Sequence, residues 1–195
     1  MALDAATTAA PSWLRLPDPA PATQVVAAIF AQTREKTGYV RNQQRVLAHK
    51  PAVLTALTAL GDAVVRDPGG VLSPRERELI ALVVSAENRC EPCVFGHAAA
   101  LRGHGGEAEW VATIEVNYRR AGLSARERAL ADYALKVTRA PAEVEPEDLQ
   151  SLRDAGVPEQ GILEVAAVAA YFNLSNRLNS GLGVHANGEA YRANR

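Results

Sequence analysis

Residues 72–90 read LSPRERELIALVVSAENRC, and this order of residue types dictates a helix with a defined start. Ser73 stands at the N-cap, Pro74 at the first helical position and Glu76 at N3. In that register the Ser73 and Glu76 side chains each satisfy a backbone amide of the other residue, forming a capping box. Pro74 loses nothing, because its missing N–H would have no helical partner there. The helix is expected to end at Glu87 or Asn88. The pattern recurs 51 residues on as LSARERALADYAL from Leu123, with Ser124 and Glu127 in the same roles. Good helix starts resemble one another, and two copies are too few for a solenoid; the other reading is a helical unit duplicated within one fold. One difference between the copies is informative. Glu78 in the first corresponds to Ala129 in the second, so both helices use the position for packing but only one bears a carboxylate.

Helical periodicity continues on both sides of this pair. Upstream, a helix is expected from Thr23 to Lys36, with Val25, Val26, Ile29 and Phe30 on one face and Gly38 as its stop. Two more fit Asn42 to His49 and Pro51 to Val65, the latter followed by the turn Asp67-Pro68-Gly69-Gly70. Downstream, helices are expected from Glu91 to Gly103, Glu107 to Arg119, Ser124 to Thr138, Pro146 to Asp154 and Pro158 to Ser180. No segment alternates with period two long enough for a strand, so the fold class is all-α. Residues 1–21, broken by Pro11, Pro17, Pro19 and Pro21, read as an extended arm; residues 22–184 form the helical domain, and residues 185–195 a polar, frayed tail.

The chain has 195 residues, 48% of them hydrophobic and 22% charged, with a net charge of -1. These values exclude wholesale disorder and argue against nucleic acid or an acidic membrane as the partner. No apolar run reaches the ~20 residues of a membrane span. The opening MALDAATTAAPSW lacks the basic and apolar regions of a signal peptide, so a cytoplasmic protein is expected. Alanine is abundant and aromatics are only 5%, which favours closely packed helices.

The two cysteines lie in CEPCVFGH, residues 90–97. A lone pair three apart is no disulfide scaffold and points to redox chemistry or metal binding. Cys90 falls at a helix start and Cys93 in the first turn, where free amides and the helix dipole favour a thiolate. Cys93 and His97 are four apart on one face, so the imidazole can take the thiol proton, and Cys90 is near enough to trap an oxidised Cys93. Two other readings compete: buried cysteines that merely pack together, and a zinc site of Cys90, Cys93, His97 and His104. The second lacks a further CxxC or HxxxH. By thioredoxin logic the first cysteine attacks; a base within reach singles out Cys93 instead. Neither metal nor cofactor is expected.

Together, Glu78, Cys90, Cys93 and His97 resemble the site of the AhpD-like alkylhydroperoxidases of the carboxymuconolactone decarboxylase superfamily, in which a Glu is followed twelve residues later by CxxC and then by a His. The resemblance runs from about Pro19 to Val184, includes YFNLSNRLNSGLG near the C-terminus, and is greatest to the peroxidase-related subgroup. It implies an all-helical fold, a trimer or hexamer, and reduction of hydroperoxides in which Cys93 attacks, Cys90 resolves and His97 with Glu78 relays protons. It implies a dithiol reductant, a lipoyl-bearing protein in the characterised cases. Tyr171, Phe172, Asn176 and Arg177 are placed by it near the dithiol. The best-known members carry a further His immediately before the second Cys, where this chain has Pro92. The alternatives are a decarboxylase-type lyase of the same superfamily, which would not need two cysteines, and a non-enzymatic redox- or metal-responsive dithiol. His49 and His185 read as surface or packing residues, and Trp110 and Tyr118 as a core or interface stripe.

Overall fold

Helix α4 (Pro74–Glu87) has every residue from Leu79 to Ser85 buried. A helix with one apolar stripe can lie on a surface, but one buried all round needs neighbours on every side. They are α3 (Pro51–Val65), α5 (Glu91–Gly103), α6 (Ala108–Asn117), α7 (Ala125–Arg139) and α9 (Glu159–Gly181). The computed structural model describes residues 10–16 and 23–195. Its remaining helices are α1 (Gln24–Thr37), α2 (Asn42–Leu47), α8 (Pro146–Asp154) and α10 (Gly188–Arg192), with no strand among the described residues. The all-α expectation holds. Ile80, Val84, Leu130, Leu152, Val165 and Phe172 belong to one core, and Leu79, Leu82, Leu101, Val111 and Ile114 to a second on the opposite side of α4. Tyr118 is buried in the second core and Trp110 packs against it.

Both capping boxes form as read, at Ser73/Glu76 and at Ser124/Glu127. They also reach across to each other. Arg126 Nε donates to Glu76 Oε1 at 2.6 Å, and Arg75 Nε donates to Glu127 Oε1 at 3.4 Å. Each copy thus supplies the arginine that engages the other copy's capping carboxylate, a reciprocal contact that fits a duplicated unit folded against itself.

Several boundaries depart from the sequence reading. The sixth helix stops at Asn117, whose φ of −162° is extended and whose side chain caps a 3-10 turn over Tyr118–Arg120. Val25 is exposed, whereas Val26 packs inward. The tail read as frayed contains α10, whose Ala190 is buried and which packs on α5. Asn187 Oδ1 accepts from the Asn42 amide at 2.8 Å, Asn194 Nδ2 donates to the Ala99 carbonyl at 3.0 Å, and Phe95 meets Tyr191 with ring centroids 5.1 Å apart. Within the N-terminal arm, Ser12 is buried and the Trp13 amide donates to the Leu182 carbonyl at 3.2 Å. Residues 1–9 and 17–22 of the arm and domain start lie outside the described residues.

Gly61 in mid-helix α3 has a steric reason. A Cβ there would stand 2.5 Å from the Tyr171 hydroxyl oxygen, which donates to the Leu57 carbonyl.

Burial pushes the Glu76 carboxyl up, but hydrogen bonds from Arg126 and Ser73 outweigh it and hold its pKa below the ordinary 4.5. Glu127 is likewise lowered: burial raises it, and Ser124 and Arg75 more than offset this. A carboxyl depressed in the folded state stabilises fully above its unfolded pKa and loses that contribution as pH falls through the folded value. Glu76→Gln/Glu127→Gln should therefore lose about 1–2 kcal/mol at neutral pH. Its urea-unfolding stability should also fall less steeply than the parent's below about pH 4.5.

Candidate functional site

The turn between α4 and α5 sets the dithiol. Asn88 caps α4, and Arg89 adopts a left-handed φ of 52°. The Cys90 amide donates to the Ser85 carbonyl at 3.0 Å and the Arg89 amide to the Ala86 carbonyl at 3.1 Å. This is the Schellman pattern, with arginine where glycine usually stands, a conformation that costs about 1 kcal/mol for an L side chain. The chain reverses within two residues, and Cys90 becomes the N-cap of α5. Pro92 follows in the first turn, and the Cys90 carbonyl accepts from the amides of Cys93 and Val94. Cys90 and Cys93 are joined as a disulfide, their Cα atoms 5.3 Å apart.

The two sulfurs are not equivalent. Cys90 is 1% exposed, whereas Cys93 is 7% exposed and lines a cavity of about 480 Å³. His97 and Glu78 open on the same cavity. His97 Nδ1 lies 2.7 Å from Glu78 Oε2, and both side chains are largely buried. The imidazole is also held by the Phe172 ring, edge to face at 4.2 Å between centroids. An imidazole fixed through Nδ1 presents its other nitrogen for proton exchange. Glu78 is the one residue from Arg77 to Ser85 on α4 that is not fully buried.

Asn179 was missed in the sequence. It is buried on α9, and its amide Nδ2 donates to Cys93 Sγ at 3.1 Å and approaches Cys90 Sγ at 3.9 Å. Its Oδ1 has no hydrogen-bond partner among the described residues. A signal existed: along α9 the buried stripe Val165, Val168, Ala169 and Phe172 continues as Ser175, Asn176 and Asn179. Polar residues on an apolar stripe mark a buried polar role.

Of the residues placed near the dithiol by resemblance, Tyr171 and Phe172 line the cavity. Asn176 instead accepts from the Ser85 hydroxyl at 3.3 Å, and the exposed Arg177 donates to Asn173 on its own helix. His104 caps the far end of α5 and is exposed. Among the described residues, no group of three or more His, Cys, Asp or Glu is arranged to hold a metal ion. His49 meets the Arg15 carbonyl at the surface, whereas His185, read as a surface or packing residue, lines the cavity 3.8 Å from Glu91. No described helix is long and apolar enough to cross a membrane.

The sequence matches the carboxymuconolactone decarboxylase family over residues 51–136. The fold superposes on a peroxidase-related protein from Ralstonia eutropha JMP134, described as an alkylhydroperoxidase AhpD core, with a TM-score of 0.90 and 34% identity over 95% of this chain and 97% of that one. A peroxidase-related protein from Silicibacter sp. TM1040 gives 0.88 and 36% identity over 95% and 96%. An uncharacterized protein of Haemophilus influenzae is 39% identical over 71 residues, a stretch that spans 36% of this chain and 61% of that relative's length. The chain belongs to the AhpD-like branch of the carboxymuconolactone decarboxylase superfamily.

A hydrogen bond from Asn179 to a charged sulfur stabilises the thiolate more than the thiol. In reduced protein, Asn179→Leu should slow iodoacetamide alkylation of Cys93 roughly tenfold near neutral pH. The deficit should close as pH is raised, because the thiol then ionises unaided.

Proposed function

We propose that the protein is a thiol peroxidase that reduces organic hydroperoxides with the Cys90–Cys93 dithiol. The observation that carries the reading is the asymmetry of the site: Cys93 shares the cavity with His97, and Cys90 lies behind it. His97, oriented by Glu78, takes the Cys93 proton. The thiolate attacks the terminal peroxide oxygen; an S–O bond forms, the O–O bond breaks, and the alcohol leaves with the proton from His97. Cys90 then attacks the sulfenic sulfur, forming the disulfide and releasing water. Two electrons pass from the dithiol to the peroxide. An external dithiol, such as a lipoyl-bearing protein, restores the thiols by exchange. The setting that suits this cycle is the cytoplasm, where reductants keep thiols available. We place the chain in a homo-oligomer, a trimer or hexamer, a reading supported by the exposed apolar side chains of Val116 and Leu163.

The direct test is peroxide consumption by pre-reduced protein with thiol counting. Cys93→Ser should consume none. Cys90→Ser should complete one turnover and leave a sulfenic acid that a dimedone probe traps on Cys93. The opposite pattern would reverse the roles.

Glu78→Gln keeps the side chain's volume but removes the charge that supports an imidazolium. It should fold as the parent does and react with peroxide roughly ten- to a hundredfold more slowly near neutral pH. Higher pH should recover part of the loss. Unchanged rates from about pH 6 to 9 would remove Glu78 from the relay.

A further inference from the structure

The cavity in front of Cys93 changes character from its floor to its rim. Buried Phe172 and Ala99, with half-buried Pro92 and Gly96, give the inner cavity an apolar lining beside the buried polar side chains of Ser175 and Asn179. Exposed Lys36 at the end of α1, Arg41 at the N-cap of α2 and Arg66 just after α3 stand at the rim. The α1–α2 connection and the end of α3 thus bring cations to one opening, in a chain whose net charge is only -1. Glu78 is the sole carboxylate on the cavity wall among the described residues, and it is engaged with His97. Beyond the wall, Asp62 pairs with Arg66. Glu189 is felt at Tyr39 alongside Arg41. Lys36 and Arg41 have no ion-pair partner among the described residues. The guanidinium charges of Arg66 and Arg41 also reach inward: burial raises the Tyr171 hydroxyl pKa, and both arginines oppose it.

We infer that the cavity selects hydroperoxides that carry a carboxylate, with the acid at Lys36 and Arg41, the apolar body along Phe172 and Pro92, and the peroxide at Cys93. This rests on the peroxidase reading of the same site. A cavity of this volume is about 10 Å across if compact, which matches an aromatic or short aliphatic acid better than a long acyl chain. Two flexible cations at an open rim provide charge without the fork of buried donors that rigid phosphate sites use. A carboxylate recognised this way gains mainly in capture, so the preference belongs in KM and weakens with salt.

The test compares cumene hydroperoxide with its ring-carboxylated analogue, a pair that differs by one negative charge. In about 20 mM salt the carboxylated compound should show a kcat/KM roughly tenfold higher, carried by KM, and the ratio should shrink in about 0.5 M salt. Lys36→Met/Arg41→Met should bring the ratio close to one. Both residues are exposed, and circular dichroism checks that the variant folds. In parallel, 4-isopropylbenzoate, which has no O–O bond, is titrated calorimetrically into the intact oxidised protein. It should bind, and bind roughly tenfold more weakly to the double variant. Equal kcat/KM for the two hydroperoxides, with benzoate binding indifferent to the double substitution, would overturn the inference and leave the peroxidase reading standing. Thiols that neither hydroperoxide oxidises, with cation-dependent benzoate binding intact, would sink the peroxidase reading and uphold the anion subsite.

Discussion

Helices α3, α5, α6, α7 and α9 all pack on α4, whose middle is buried all round. Because α4 is buried from Leu79 to Ser85, its neighbours are not optional, and their placement follows from covering it. The same constraint creates the site. Glu78, immediately before that stretch, has access to open space, and a carboxylate there is tolerable only with a partner, since a mostly desolvated charge left alone costs several kcal/mol. His97 is that partner, at 2.7 Å, and it arrives because α5 is laid beside α4 by a two-residue reversal at Arg89. Core burial, the strained turn and the carboxylate–imidazole pair are therefore one structural event.

What was legible in the sequence is what local chemistry encodes. Ser73 with Glu76 and Ser124 with Glu127 sit three residues apart, so each cap is decided within one turn of chain. Pro51 and Pro146 mark helix starts for the same reason, and those helices begin where expected. That Cys93 and His97 open on one cavity is likewise local, since they stand one helical turn apart. Asn179 is different, because it reaches Cys93 across 86 residues, and nothing at the cysteines announces it. The tail was misread for a related reason. Residues 185–195 are polar by composition, yet Asn187 and Asn194 spend their amides on partners in α2 and α5, which periodicity does not reveal.

The two similarly capped helices, α4 and α7, differ where the site stands. Where α4 carries Glu78, α7 carries Ala129, which borders a separate space of about 790 Å³ between α7 and α8. There Lys136 meets Asp148 at 2.6 Å, an ion pair open to water, and no thiol stands opposite. The scaffold contacts are kept in both copies, since the crossed Arg75–Glu127 and Arg126–Glu76 pairs join an arginine of the first turn to the capping carboxylate of the other helix. The difference between Glu78 and Ala129 falls just past the cap, where it leaves the helix start untouched.

Pro92 completes the argument about protons. In the best-known members of the superfamily that position is a histidine, and here it is a residue that neither donates nor accepts through its side chain. The backbone tolerates it well, because a proline in the first turn of α5 gives up an amide that has no helical partner. The consequence falls on the cavity, to which Pro92 contributes an apolar ring. His97 is then the imidazole on the same helix face as Cys93, and its carboxylate partner among the described residues is Glu78. On the peroxidase reading proposed above, a single imidazole leaves more of the thiolate's stabilisation to the free amides at the start of α5 and to the Asn179 amide, which stands 3.1 Å from Cys93 Sγ.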